Sequence, residues 1–219
     1  MFVTQRMRRD IVTVAPTSTL KDARRLMRDR NVRQLPVTGK ENELIGILSD
    51  RDIREAMLPV GLLPDASEKE MEEMLAKTPV EKVMTRKVVT ATIDDSLEDA
   101  VVLLHDFRVN SLPVVDDRGR VAGIITRTDI LKAFIEALGV GEISSRLEVV
   151  VPDVPGMLVQ ILTIIKNFHV KTTSILTARH TDPDKRAVVF RIATRNVGPI
   201  RKAIQEAGYE ILSPGDFRT

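Results

Sequence analysis

The chain has 219 residues, of which 43% are hydrophobic, with 33 basic residues against 31 acidic ones and no cysteine. That length suits two or three compact units, the near-balanced charge argues against a dedicated nucleic-acid surface, and the lack of cysteine excludes disulfides, thiolate catalysis and zinc–thiolate sites. Aromatic residues make up only 3%, so stacking platforms for single-stranded nucleic acid are scarce, and the absence of a visible leader or a bilayer-length apolar run points to a cytoplasmic protein.

The first predicted element is a β-prone run over residues 11–14. A helix follows, with Thr19 as N-cap, Asp22 three positions on, and Leu20, Ala23, Leu26 and Met27 at helical spacing. Leu35, Pro36 and Val37 read as a strand and residues 39–43 as a polar turn. Residues 44–48 form a second strand, running into a helix from Asp50. Residues 1–57 thus make one unit. Residues 58–79 form a linker whose polar segment, 67–77, predicts an exposed helix with Ser67 as N-cap and Glu70 completing a capping box.

The same text then begins again. A shift of 77 residues takes Met7 to Met84, Thr13 to Thr90, Leu20 to Leu97 and Asp22 to Asp99 without a gap. It also takes Leu35-Pro36-Val37 to Leu112-Pro113-Val114, and Gly46 and Asp52 to Gly123 and Asp129. The first two-thirds of the chain is therefore a duplicated β-α-β-β-α unit, the second copy covering residues 80–138 with a β-prone run at 88–92 and Ser96 as N-cap. Each copy alone has a thin core, and two packed together bury much more.

Both copies carry the phrase Gly-apolar-apolar-Ser/Thr-x-x-Asp-Ile, which reads GILSDRDI at 46–53 and GIITRTDI at 123–130. Ser49 and Asp52 lie three apart where a strand becomes a helix, as do Thr126 and Asp129. A helix start offers backbone N–H groups and partial positive charge to a phosphate, and a carboxylate there can accept from vicinal hydroxyls. That suits a ribonucleotide. The same residues also make a plain helix cap, and the residues alone leave both readings open. The copies differ mainly in charge: Asp50-Arg51 and Arg33 in the first, Arg127-Thr128 and Asn110 in the second. Each keeps a guanidinium for phosphate, and the difference predicts unequal affinities. The first helix differs too. Arg24, Arg25 and Arg28 are replaced by Val101, Val102 and His105, which suggests an added apolar contact in the second copy.

Residues 139–145 read as a linker. Residues 146–151 are a strand, and Asp153-Val154-Pro155-Gly156-Met157-Leu158 leads into a helix through about residue 168. Two β-prone runs, 171–179 and 187–194, are joined by a polar hairpin tip. A helix over 197–207 ends at Gly208, and 209–212 is a last strand. The order βαββαβ is that of a ferredoxin-like sandwich over residues 146–213, followed by a tail at 214–219. The overall class is α+β. No phosphate loop, dinucleotide fingerprint, metal spacing of His105, His169 and His180, or nucleophile–base pair is readable.

The two G-h-h-S/T-x-x-D phrases, the paired Leu-Pro-Val triplets and Met84-Thr85 give residues 1 to about 138 a resemblance to a tandem pair of CBS domains, a Bateman module. The resemblance implies an adenosine ligand, AMP, ADP, ATP or S-adenosylmethionine, with no further cofactor. Asp52 and Asp129 would then hold ribose, and Ser49, Arg51, Thr126 and Arg127 would meet phosphate. Thr13, Val14, Ala15 and Pro16 in the first site, and Thr90, Ala91 and Thr92 in the second, would supply adenine contacts. Arg33, Leu35 and Pro36, and Asn110, Leu112 and Pro113, would line the clefts. Ile93 stands where the first copy has Pro16.

With its Asp-x-Pro-Gly-x-Leu turn, the last third resembles an ACT domain. This implies effector binding, commonly of an amino acid, at Asp153, Val154, Gly156, Met157 and Leu158, or dimerisation. The order CBS–CBS–ACT is similar to that of acetoin-utilisation AcuB-type proteins, implying a non-catalytic regulator, a homodimer and an unidentified target enzyme. Two rivals stand beside this: an oligomerisation scaffold with unoccupied clefts, and nucleic-acid binding through Arg24, Arg25, Arg28 and the stretch 6–9.

Overall fold

The computed structural model describes residues 1–61 and 67–213, without the side chains of residues 58–61. It divides into two compact units, Met1–Leu131 and Lys132–Thr219.

The first unit contains the first copy of the repeat and the second copy as far as Leu131. In the first copy, α1 (Leu20–Asp29) starts at Thr19, whose side chain accepts from the Asp22 amide. Strands β1 (Gln34–Thr38) and β2 (Leu44–Ser49) pair antiparallel, and α2 (Asp50–Gly61) follows directly. Helix α2 therefore continues into the segment read as linker, of which residues 62–66 lie outside the described residues. Helix α3 (Glu68–Lys77) begins at a Ser67–Glu70 capping box. The second copy repeats the plan. A two-residue β3 (Ala91–Thr92) precedes α4 (Leu97–Asp106), capped by Ser96 and Asp99. Strands β4 (Ser111–Val115) and β5 (Val121–Thr126) then run into α5 (Arg127–Ala137).

Two expectations change. Residues 11–14 do not form a strand; Val14 makes one isolated bridge to Val37, with its N–H on Pro36 O and its carbonyl on the Thr38 N–H. The second copy extends this only to Ala91 and Thr92, beside Val114 and Val115.

The larger difference is which copy each opening segment joins. Residues 1–8 pack on the second copy: the Leu97 N–H donates to Met1 O, the Val3 N–H to Asp95 O, and the Arg8 N–H to Ile124 O. Residues 78–85 pack on the first in the same pattern, with Leu20 N–H to Thr78 O, Val80 N–H to Ser18 O and Thr85 N–H to Ile47 O. Each half thus closes the other. This accounts for the glycine of the repeated phrase: a methyl on Gly46 would lie 2.6 Å from Met84 Sδ, and one on Gly123 would meet Met7 Sδ. Leu20, Leu35, Leu48, Leu75 and Val80 are fully buried in the first half's core.

The second unit runs β6 (Ser145–Pro152), α6 (Met157–Lys166), β7 (Thr172–Arg179), β8 (Lys185–Ile192), α7 (Gly198–Glu206) and β9 (Glu210–Leu212). Its sheet order is β7-β8-β6-β9, with every neighbouring pair antiparallel. Leu147, Val149 and Val151 on β6 alternate inward to meet Ile161 and Ile165 of α6, Ile200 and Ile204 of α7, and Phe190 of β8. Among the described residues no helix is long and apolar enough to cross a membrane.

Candidate functional site

The repeated phrase folds the same way twice. The Asp50 N–H donates to Arg33 O at 3.0 Å and the Arg127 N–H to Asn110 O at 3.1 Å, so each helix start is tied to the residue ahead of its Leu-Pro strand. Asp52 Oδ2 accepts from the Ser49 N–H and Oγ–H, both at 2.7 Å. Asp129 Oδ2 accepts from the Thr126 N–H at 3.0 Å and Oγ1–H at 2.6 Å. In return the Asp52 and Asp129 amides donate to those hydroxyls, at 3.2 Å in both halves. Both carboxylates therefore act as caps, and part of the amide supply expected for phosphate is used within the protein.

Their second oxygens differ. Asp129 Oδ1 accepts from Arg8 Nε and Nη2 at 3.1 and 3.0 Å, and the Asp129 side chain is only 10% exposed. Asp129 is thus saturated by its own chain rather than reaching outward. Among the described residues no protein group reaches Asp52 Oδ1. The residue matching Arg8 is Thr85, which cannot make this pair.

Between the two halves of the first unit lies a cleft of about 1380 Å³. Ser49 and Thr126 both line it, with Pro36 and Asn110. Of the expected cations, Arg33, Arg51 and Arg127 are there. Arg8, Arg9, Arg30, Arg54 and Arg108 join them and were not foreseen as cleft residues. Their signal in the sequence was faint: each lies within a few residues of a motif position. Arg51 also pairs with Glu55, whose hydrogen bond raises the guanidinium's pKa further above its ordinary value.

Other expected contacts fall elsewhere. Leu35 and Leu112 are fully buried, so their side chains belong to the cores and offer a ligand no surface. Pro113 and Ala91 are buried as well. Thr13, Val14 and Ala15 line a separate hollow with Ser18, Asp22 and Arg25, and Pro16 and Thr90 are half-buried. The Thr92 N–H and Oγ1–H both donate to Asp95, at 2.8 Å, so that amide is not available to a base.

The basic face of α1 is not bare. Arg24 and Lys21 both pair with Glu72 of α3, and Arg25 pairs with Asp22. On α4, which has no counterpart of α3 in the repeat, Val101 and Val102 are 37% and 55% exposed. In the second unit, Gly156 opens α6 with φ 81°, and nothing lies within 4 Å of where its Cβ would be. The glycine there serves the turn's left-handed conformation. Asp153 pairs with Arg186 at 2.9 Å, Met157 and Leu158 pack on the core, and Val154 is exposed.

The chain matches the CBS domain family twice, at residues 3–59 and 80–136. It is 37% identical over 124 residues to the inosine-5'-monophosphate dehydrogenase of Methanocaldococcus jannaschii, which covers 57% of this chain and 22% of the enzyme. The chain thus spans about a fifth of that relative's length. Among solved structures, the CBS domain pair of MJ0100, in complex with 5'-methylthioadenosine and S-adenosyl-L-methionine, aligns with TM-score 0.51 and 25% identity over 61% of this chain and 95% of the other. CBSX2 of Arabidopsis thaliana, in complex with AMP, aligns with TM-score 0.50 and 28% identity over 62% and 96%. An acetoin utilization protein (AcuB) of Vibrio cholerae aligns with TM-score 0.52 and 28% identity over 64% and 93%. With both matches spanning just over half its length, this chain belongs to the CBS domain family.

Proposed function

We propose that the chain is a non-catalytic, cytoplasmic sensor whose CBS pair binds an adenosine-type ligand, AMP, ADP, ATP or S-adenosylmethionine. The observation that carries this reading is the concave, arginine-lined cleft where both repeated hydroxyls, Ser49 and Thr126, converge. The ligands of the MJ0100 and CBSX2 pairs support it. Asp52, with one oxygen free of protein partners among the described residues, is the stronger ribose acceptor, and Arg33 and Arg51 meet phosphate. Ligand binding changes the set of the two halves only so far as it favours one arrangement over another. The first test is a melting-temperature panel with the four ligands; a protein that none of them stabilises has no such site.

We read the unit from β6 to β9 as a ferredoxin-like ACT domain over 146–213, serving dimerisation or amino-acid sensing at the Asp153–Leu158 turn. Its strand order and the Gly156 turn support this. The functional unit is then a homodimer acting on a target enzyme, in the manner of an acetoin-utilisation regulator. One observation favours a scaffold role for half of the pair: the Arg8–Asp129 ion pair fills the second carboxylate without a ligand.

A further inference from the structure

The central cleft holds more positive charge than one phosphate group can use. Among the described residues eight arginines line it against two aspartates, Asp10 and Asp50. Three of those arginines already face a carboxylate: Arg8 with Asp129, Arg51 with Glu55 and Arg54 with Asp50. The other five, Arg9, Arg30, Arg33, Arg108 and Arg127, have no carboxylate partner among the described residues; Arg9 and Arg127 donate only to Thr4 and to Leu104 O. Like charges gathered in one concavity repel, and a cleft focuses their field. A polyanion relieves that repulsion.

The duplication did not produce this cluster. A shift of 77 residues takes Arg30 to Phe107 and Arg33 to Asn110, and relates Arg127 to Asp50 and Arg108 to Asn31. The triplets Asn31-Val32-Arg33 and Arg108-Val109-Asn110 are reversed copies of each other, and both line the cleft. Each half therefore contributes one arginine, from non-equivalent positions. Asn31 and Arg108 share a left-handed backbone, φ 50° and 53°. Asparagine tolerates that conformation, whereas arginine adopts it at a steric cost. Arg108 thus places a cation on the cleft wall at a position its backbone preference does not favour.

The geometry points to a nucleotide with a chain of three or more phosphates as the ligand of this cleft, its phosphates lying between Arg33 of the first half and Arg108 of the second. This rests on the nucleotide reading above and narrows it. A monophosphate engages one or two guanidinium forks and leaves the others uncompensated. A sulfonium nucleoside brings a positive centre to a positive wall. Affinity should therefore rise with phosphate number, with S-adenosylmethionine weakest.

The test is calorimetry on the full chain at fixed ionic strength with EDTA, using AMP, ADP, ATP and S-adenosylmethionine, with inorganic tripolyphosphate as competitor. The expected result is ATP binding at least about tenfold tighter than AMP, a tenfold step being about 1.4 kcal/mol, and displacement of ATP by tripolyphosphate. The double variant R33N/R108N borrows the residue that the opposite half uses at each matching position, so it keeps the backbone preferences of the site. It should bring ATP to within about threefold of AMP. AMP or S-adenosylmethionine binding as tightly as ATP overturns the inference. So does an R33N/R108N protein with an unchanged melting curve that keeps the ATP preference. A single-stranded oligonucleotide that displaces ATP more effectively than tripolyphosphate also overturns it and assigns the arginines to nucleic acid. Binding of tripolyphosphate with no response to any adenosine compound removes the nucleoside reading and overturns the inference of a nucleotide ligand with it.

Discussion

Asp52 and Asp129 hold matching places in the two halves of the CBS pair, and each caps its helix through the preceding hydroxyl residue. They part at the segment that crosses over from the opposite half. Thr85 pairs with Ile47 beside the first, and Arg8 pairs with Ile124 beside the second, where its guanidinium takes Asp129 Oδ1. The scaffold of the duplication is kept: Gly46 and Gly123 each seat a methionine from the other half, and Thr19 and Ser96 both cap. What diverged is the charge facing the cleft. A duplicated fold can hold its packing constant because each half needs the other's opening segment, while residues on the cleft wall change without disturbing that exchange.

The largest effect is expected from removing the two carboxylates in turn. Asp52→Ala should weaken the tighter nucleotide site by about 1.5–3 kcal/mol, the scale of hydrogen bonds to a charged group, whereas Asp129→Ala should leave that site within about threefold. Calorimetric titration of both variants decides it, and equal losses would mean that Arg8 does not distinguish the halves.

The two glycines report on the packing that the halves share. Gly46→Ala sets a methyl against Met84 Sδ and 3.2 Å from Thr85 O, and Gly123→Ala sets one against Met7 Sδ and 3.1 Å from Arg8 O. Overpacking of this kind costs about 1–3 kcal/mol, and the near-identical surroundings predict similar costs in both halves. Urea unfolding measures each; a cost confined to one variant would show that the halves are not packed alike. A smaller effect is expected from Arg8→Thr, which gives the second half the residue of the first. It should free Asp129 and tighten the weaker site by about tenfold, or roughly 1.4 kcal/mol. A titration that finds the same weak site, or none, in the variant would sink the view that Arg8 occupies a ligand position.

These contrasts were only partly legible in the sequence. The repeat, the caps at Thr19, Ser67 and Ser96, and the order of the last unit follow from spacing and residue type, because those signals are local. The exchange of opening segments was not legible. A constant shift of 77 residues relates the copies whichever half each segment joins, and the partner of Gly46 is known only once Met84 is seen against it. For the same reason Arg8 read as part of a basic stretch at 6–9 rather than as the partner of a residue 121 positions away. Leu35 and Leu112 were read as cleft residues from the motif they belong to, but alternation along β1 and β4 turns them into the cores.

The smallest effect concerns the helix starts, where the second half again carries a legible charge. The Ser96 hydroxyl and amide both donate to Asp99, and these bonds hold its carboxyl below the ordinary carboxylate pKa. A carboxylate depressed in the folded state contributes stability that is present above its unfolded pKa, about 3.9, and is lost as pH falls through the lower folded value. Ser96→Ala removes the main cause of the depression. The melting temperatures of wild type and variant should therefore lie farther apart at pH 7 than near pH 3, the residual gap reflecting the Asp99 amide's bond to Ser96 Oγ, which survives protonation. A gap that stays constant across that range would mean the cap acts through the amide alone, and that the ionised carboxylate adds nothing to α4.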